Sequence, residues 1–232
     1  MGRVITLDAM GTLVALEDPV PRLVAGLRDR GAVVSEAAAG TALAREIAFY
    51  RAGHDAAADA ASLARLRAQC AGVLRAALEA AGADVGALSP AEMLAALLGA
   101  LRFAPYPDVP GALAELRAAG HRLVVVSDWD VSLHEMLRTT GLAGLVDGAI
   151  SSAEAGARKP APELFRRALA LAPDGDAQGP ALHAGDSLEL DVAGALAAGL
   201  RAVLIARGGV PDGVPDDVAV LASLEGLADL AA

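Results

Sequence analysis

Only one cysteine, Cys70, occurs in the 232 residues. An intramolecular disulfide framework and a cysteine-based zinc site are therefore excluded. Positive charge is also scarce: 19 Lys and Arg stand against 29 Asp and Glu, a formal net charge of −10. That balance argues against non-specific nucleic-acid binding, which needs a basic surface. No apolar stretch supplies the roughly 20 clean residues of a bilayer span, because Arg, Asp and Glu interrupt every one. Lysine is the rarest base: Lys159 stands alone and all the others are arginine. A GC-rich codon composition accounts for the scarcity. Hydrophobic residues make up 55%, too many for a disordered chain, but aromatics are only 3%. Alanine inflates the apolar count, so the core must come mostly from Leu and Val. Met1-Gly2-Arg3-Val4 runs straight into a strand-like segment and does not read as a signal peptide. The expectation is a soluble cytoplasmic protein with no membrane and no nucleic-acid partner, as a monomer or homodimer.

Arg3–Leu7 is short and β-branched with Asp8 and Gly11 behind it, a buried strand opening into a loop. Residues from about 19 to 101 then read as helical. Leu63, Leu66, Cys70, Val73, Leu74, Ala77 and Leu78 recur at spacings of three and four, one helical face. Ser89-Pro90-Ala91-Glu92 offers an N-cap, a first-turn proline and a capping-box glutamate. The stretch 102–111, with Pro105, Pro107 and Pro110, reads as a connector. From Leu113 onward the rhythm changes. Helices are expected over 113–119, 131–140, 162–171 and 188–198. Strands are expected over 122–126, 148–151, 180–185 and 201–206, with a further one at 218–221 before a terminal helix. Strands alternating with helices imply an α/β fold, a doubly wound parallel sheet covered on both faces. The division that follows is a core of 1–15 and 102–232 and an inserted all-helical domain of 16–101.

In open α/β sheets the site lies beyond the carboxyl ends of the strands. Asp8 follows the first strand, Ser127 and Asp128 the second, and Asp186 a later one. Asp8-Ala9-Met10-Gly11-Thr12 places a carboxylate before a Gly-Thr turn, a candidate nucleophile. Asp186 and Asp191 straddle a strand-to-helix turn, a spacing that can offer hard oxygen ligands to Mg²⁺. Lys159, in the loop before the Pro162 helix, can join this acidic rim.

These elements, in this order, resemble the haloacid dehalogenase superfamily. The resemblance extends to Arg158-Lys159-Pro160 and the tail Arg207-Gly208-Gly209, and so covers essentially the whole chain. The helical insert looks like the C1-type cap of subfamily I. The resemblance implies that Asp8 is the nucleophile of an aspartyl intermediate and that Ser127 hydrogen-bonds the transferring group. It implies that Lys159 neutralises charge beside Asp8. It assigns Mg²⁺ to Asp8, Asp186, Asp191 and the backbone carbonyl of Met10, and substrate contacts to Gly11, Thr12 and Asp128. An anion attacking an anion needs a cation to cancel repulsion, so in a chain of charge −10 the attraction must be local. In the insert, Tyr50-Arg51-Ala52-Gly53-His54-Asp55 is the polar cluster, and Arg51 and His54 are candidate contacts to a substrate anion. A solvated helix end, with Gly53 as the terminator, explains the same residues.

One position departs from the family pattern. Phosphatases of this superfamily carry a second aspartate two residues after the nucleophile, and here that residue is Met10. A thioether transfers no proton, and general acid–base assistance is worth roughly 10² to 10⁴ in rate. Asp128 and Asp130 are the nearest candidates to replace it. Three readings follow. One is a Mg²⁺-dependent phosphatase of small phosphorylated metabolites, slow or limited to good leaving groups. The second is a 2-haloacid dehalogenase, whose halide leaves without a proton. The third is a phosphate- or metabolite-binding protein with little turnover. His183, in the strand before Gly185, reads as packing beneath the site.

Overall fold

A computed structural model describes residues 2–172 and 180–231. The chain divides into two compact units, Met1–Ala15 with Ala104–Ala232, and Leu16–Phe103.

The first unit is built on a six-stranded sheet. Its strands are β1 (Val4–Leu7), β4 (Arg122–Ser127), β5 (Gly148–Ser151), β6 (Leu182–Gly185), β7 (Arg201–Ile205) and β8 (Ala219–Leu221). Their order is β5-β4-β1-β6-β7-β8 and every described pairing is parallel. β1 is therefore central, and successive strands wind outward from it to either side. Parallel strands covered on both faces need continuous apolar runs. β4 supplies one, with Leu123, Val124, Val125 and Val126 all fully buried. One layer against the sheet joins Val124, Val126 and Leu204 to Leu164, Phe165 and Ala168 of α8 (Pro162–Leu169) and to Val192 and Ala195. Leu and Val dominate, as the low aromatic content requires.

Helices α5 (Val109–Ala118), α6 (Leu133–Thr139), α7 (Ser152–Ala155), α9 (Ala193–Ala197) and α10 (Leu227–Ala231) complete this unit. The connector expected over 102–111 is only partly one. β3 (Phe103–Pro105) pairs with β2 (Val14–Leu16), and α5 starts early because Pro110 suits its first turn. The helix expected over 188–198 is also not uniform. Leu188–Val192 forms a π-helical turn before α9. The amides of Asp191 and Val192 both donate to the carbonyl of Ser187, at 3.0 Å each. This widened turn carries Asp191 inward, and π-turns cluster at functional sites.

The second unit packs α1 (Pro19–Arg28), α2 (Glu36–Gly53), α3 (Ala60–Ala80) and α4 (Pro90–Ala100). Each helix begins at a side chain that accepts an amide hydrogen: Asp18, Ser35, Asp59 and Ser89. The capping box expected at Ser89 and Glu92 forms, with its side-chain bond to the Ser89 amide at 2.8 Å. Of the periodic face read from sequence, α3 buries Leu63, Leu66, Cys70, Leu74, Ala77 and Leu78 and leaves Val73 half-buried. No described helix is long and apolar enough to cross a membrane.

Candidate active site

The carboxyl ends of β1, β4 and β6 bring Asp8, Ser127 and Asp186 to one edge of the sheet. Beyond Asp8 the chain turns tightly, with the amides of Leu13 and Val14 donating to the Ala9 carbonyl at 2.8 and 2.9 Å. Gly11 supplies the positive φ, +84°, that this turn needs. Asp8 is 4% exposed. Its Oδ1 accepts from the Ser127 hydroxyl at 3.0 Å and from Lys159 Nζ at 2.5 Å.

Lys159 is 3% exposed and its Nζ also donates to Asp191 Oδ1 at 2.6 Å. The ammonium thus sits between two buried carboxylates. Burial alone would lower its hold on the proton, but Asp8 and Asp191 outweigh burial and hold it protonated, above the ordinary lysine value. Burial pushes Asp8 up to about 6, against the pull of Lys159 and with help from the Asp191 and Asp186 charges. Asp191 is also buried, yet Lys159 and His183 drive it below the ordinary carboxylate range. Partial desolvation and the neighbouring Asp191 raise Asp186.

Asp8, Asp186 and Asp191 each offer an oxygen, and these oxygens lie within 4.8 Å of one another. An all-oxygen donor set suits a hard divalent cation. Two glycines keep the cluster tight. A Cβ on Gly11 would lie 2.1 Å from Asp186 Oδ2, and one on Gly185 would lie 2.2 Å from Asp191 Cγ. The residues therefore fit the Mg²⁺ site that the resemblance implies, and Met10, half-buried, follows Asp8 by two positions at the start of the turn.

The other sequence candidates have distinct surroundings. Asp128 Oδ1 accepts the backbone amide of Lys159 at 2.9 Å, and its Oδ2 lies 3.8 Å from Arg158 Nε. It therefore anchors the loop that delivers the lysine. Asp130 is buried and accepts the Ser132 amide at 2.6 Å. Both carboxylates expected as possible replacements for the missing acid thus have an oxygen engaged by backbone. Thr12 is fully buried, its hydroxyl without a hydrogen-bond partner among the described residues. Arg51 is exposed in the last turn of α2, whereas His54 just beyond it is buried against Tyr50. Those two belong to the helical unit.

Two residues carry more than the sequence reading gave them. His183 does pack beneath the rim, but it also bonds to Asp191 across 3.0 Å. His183 and Gly185 share one face of β6 by strand alternation, and Asp191 fills the space over Gly185. Arg207 follows β7 and reaches back to the β1 turn. Its Nη2 donates to the Thr12 carbonyl at 2.7 Å, and the guanidinium grips both oxygens of Asp108 at 2.8 and 2.9 Å while stacking on Tyr106. A bidentate, stacked arginine of this kind fixes the turn after Asp8 to the frame.

Comparison with known proteins is consistent with this geometry. A family model described as haloacid dehalogenase-like hydrolase matches residues 3–199. A glyceraldehyde 3-phosphate phosphatase of Methanopyrus kandleri is 36% identical over 121 residues, 49% of this chain and 50% of that one. A phosphoserine phosphatase of Thermus thermophilus is 38% identical over 112 residues, 48% of this chain and 44% of that one. The chain thus spans about half the length of these curated relatives. A 2-haloacid dehalogenase from Pseudomonas syringae pv. Tomato DC3000 superposes with a TM-score of 0.64 at 26% identity, covering 99% of this chain and 98% of that one.

Proposed function

The chain belongs to the haloacid dehalogenase-like hydrolases, and on that premise we propose that it is a Mg²⁺-dependent phosphatase of small phosphorylated metabolites. The observation that carries the proposal is the cluster of Asp8, Asp186 and Asp191 with Lys159 buried between two of its members. Displacing a halide needs no cation site, whereas a phosphoryl group brings negative charge that must be cancelled. Two curated relatives, matched over 50% and 44% of their own length, are phosphatases.

In this reading Asp8 attacks phosphorus. The bond from phosphorus to the leaving oxygen breaks, and an aspartyl phosphate remains on Asp8. Ser127 and Lys159 turn their donors from Asp8 toward the phosphoryl oxygens as charge moves there. Asp8, Asp186, Asp191 and the Met10 carbonyl would hold Mg²⁺, which supplies Lewis-acid charge cancellation when bound. Water then attacks the aspartyl phosphate, releasing inorganic phosphate and restoring Asp8. Asp128 keeps Lys159 in place through the backbone amide. The helical unit would act as the cap, with exposed Arg51 as its candidate contact, whereas His54 is buried against Tyr50 and is not one.

Met10 sets the expected limits. With no carboxyl at that position, the leaving oxygen departs unprotonated and water is not deprotonated by a side chain. Acyl and aryl phosphates, whose leaving groups need least protonation, suffer least. Met10→Asp is expected to raise turnover by about 10²-fold or more on alkyl phosphates and less on p-nitrophenyl phosphate. Equal effects on both, or none, would contradict the role given to this position. The dehalogenase reading has Met10 and the superposed structure in its favour. Chloride release from a 2-chloro acid with EDTA present would establish it.

A further inference from the structure

His183 takes no step in the proposed chemistry, yet it is fully buried and bonded at both ring nitrogens. Its Nε2 lies 3.0 Å from Asp191 Oδ1, and its Nδ1 lies 2.9 Å from the Thr6 hydroxyl. The strand register explains the arrangement. Thr6 and His183 are partners across β1 and β6. Thr6 and Asp8 share a face of β1, and His183 and Gly185 share a face of β6. One face of two central strands thus presents Thr6 and His183 as a lower row, with the reactive carboxylates directly above.

The chemistry of the carboxylate partner places a ring hydrogen on Nε2. An ionised Asp191 only accepts, so the ring hydrogen belongs on Nε2. Nδ1 faces the Thr6 hydroxyl, which also reaches the Leu182 carbonyl at 3.3 Å. Phe165 closes the side of the ring edge-on, with centroids 5.0 Å apart. His183 is therefore locked by a hydroxyl, an aromatic ring and a carboxylate.

Asp191 receives three donors. His183 Nε2 and Lys159 Nζ meet Oδ1 at 3.0 and 2.6 Å, and the Ser187 amide meets Oδ2 at 3.0 Å. Lys159 is shared with Asp8, so the orientation of Asp191 decides how the single ammonium is divided between the two. We propose that His183 is a positioning residue for the cation site. Its Nε2–H holds the Asp191 carboxylate in the plane that keeps Lys159 centred and an Asp191 oxygen beside those of Asp8 and Asp186. The inference rests on the Mg²⁺-dependent reading above and deepens it. Partners that orient ligating groups typically change metal affinity or activity by about 10- to 100-fold when removed.

The test uses the whole chain with Mg²⁺ alone and no substrate. Melting temperature is followed against Mg²⁺ concentration for wild type, His183→Gln and His183→Met, since a ligand of the native state stabilises it by mass action. The two substituents are close in shape, but only glutamine carries a donor to Asp191. His183→Met is expected to raise the half-maximal Mg²⁺ concentration about 10- to 100-fold, with His183→Gln near wild type. In turnover assays the methionine variant should need more Mg²⁺ yet recover its rate at saturating Mg²⁺. A methionine variant with a wild-type Mg²⁺ response overturns the proposal. So does a glutamine variant as weak as the methionine one, because packing alone would then explain both. If His183→Met does not fold, Thr6→Val carries the test. Losing the hydroxyl that holds Nδ1 in place should raise the half-maximal concentration, and no change overturns the proposal. A wild-type protein that does not respond to Mg²⁺ overturns the cation site itself, and with it the role of His183.

Discussion

Replacing Lys159 with alanine removes the positive charge between two buried carboxylates and leaves Asp8 and Asp191 facing each other with Asp186 nearby. Breaking a buried ion pair by deleting one partner typically costs about 3–5 kcal/mol, mostly because the survivor stays buried and uncompensated. Unit charges about 4 Å apart at an effective dielectric near 20 interact by about 4 kcal/mol, which agrees. With a urea dependence of about 2 kcal/mol per molar, the unfolding midpoint should fall by about 1.5–2.5 M. The assay is urea unfolding at pH 7 in EDTA, followed by fluorescence of Trp129, the single tryptophan, which is 6% exposed in the same unit as Lys159. Lys159→Arg keeps the charge but forces a wide planar group into a slot that fits a compact ammonium. Overpacking of this sort costs about 1–3 kcal/mol. The arginine variant should therefore be the more stable of the two and nearly as inactive as alanine. A midpoint for Lys159→Ala indistinguishable from wild type would refute the ion-pair reasoning. Near-normal activity in Lys159→Arg would refute the claim that the site needs a lysine.

Glu46 of α2 is 3% exposed, and burial raises its carboxyl above the ordinary 4.5, with a weaker opposing bond from Cys70. A raised native value means the native state holds the proton more tightly than the unfolded chain. Stability is then fully present below the ordinary value and is lost as pH rises from there through the native value. Glu46→Gln removes that loss, so its melting temperature should exceed wild type at pH 7 by more than at pH 4; a gap independent of pH contradicts this. Gly11→Ala combines a left-handed backbone with a Cβ placed 2.1 Å from Asp186 Oδ2. It should weaken Mg²⁺ binding in a calorimetric titration while leaving the fold's circular dichroism intact, and unchanged affinity would show that Asp186 is not part of the cation site.

Much of the first unit was readable because buried parallel strands are continuous apolar runs with polar residues at their ends. Val124-Val125-Val126-Ser127 and Gly148–Ser151 fall where the pattern put them. Asp8, Ser127, Asp186 and Lys159 were legible for the same reason: each sits where a strand stops or just before a helix begins. What escaped the sequence depends on register or on distant partners. The Thr6–His183 bond spans 177 residues and exists only because β1 lies beside β6 in that register. Arg207 reaches Thr12 across 195 residues. Asp128 is turned to its anchoring role by an amide 31 residues away, and nothing local distinguishes that from a substrate contact. The strands Val14–Leu16 and Phe103–Pro105 are too short to leave a period. The π-turn at Leu188–Val192 looks like ordinary helix until the inward pull of Lys159 on Asp191 is known.

The proposed phosphatase activity requires both Asp8 and a divalent cation. The most direct measurement is inorganic phosphate release from p-nitrophenyl phosphate by wild type and Asp8→Asn, each with Mg²⁺ and with EDTA. The expected result is release by wild type with Mg²⁺ only, and none from Asp8→Asn under either condition. Release that persists in EDTA, or in Asp8→Asn, would contradict this requirement.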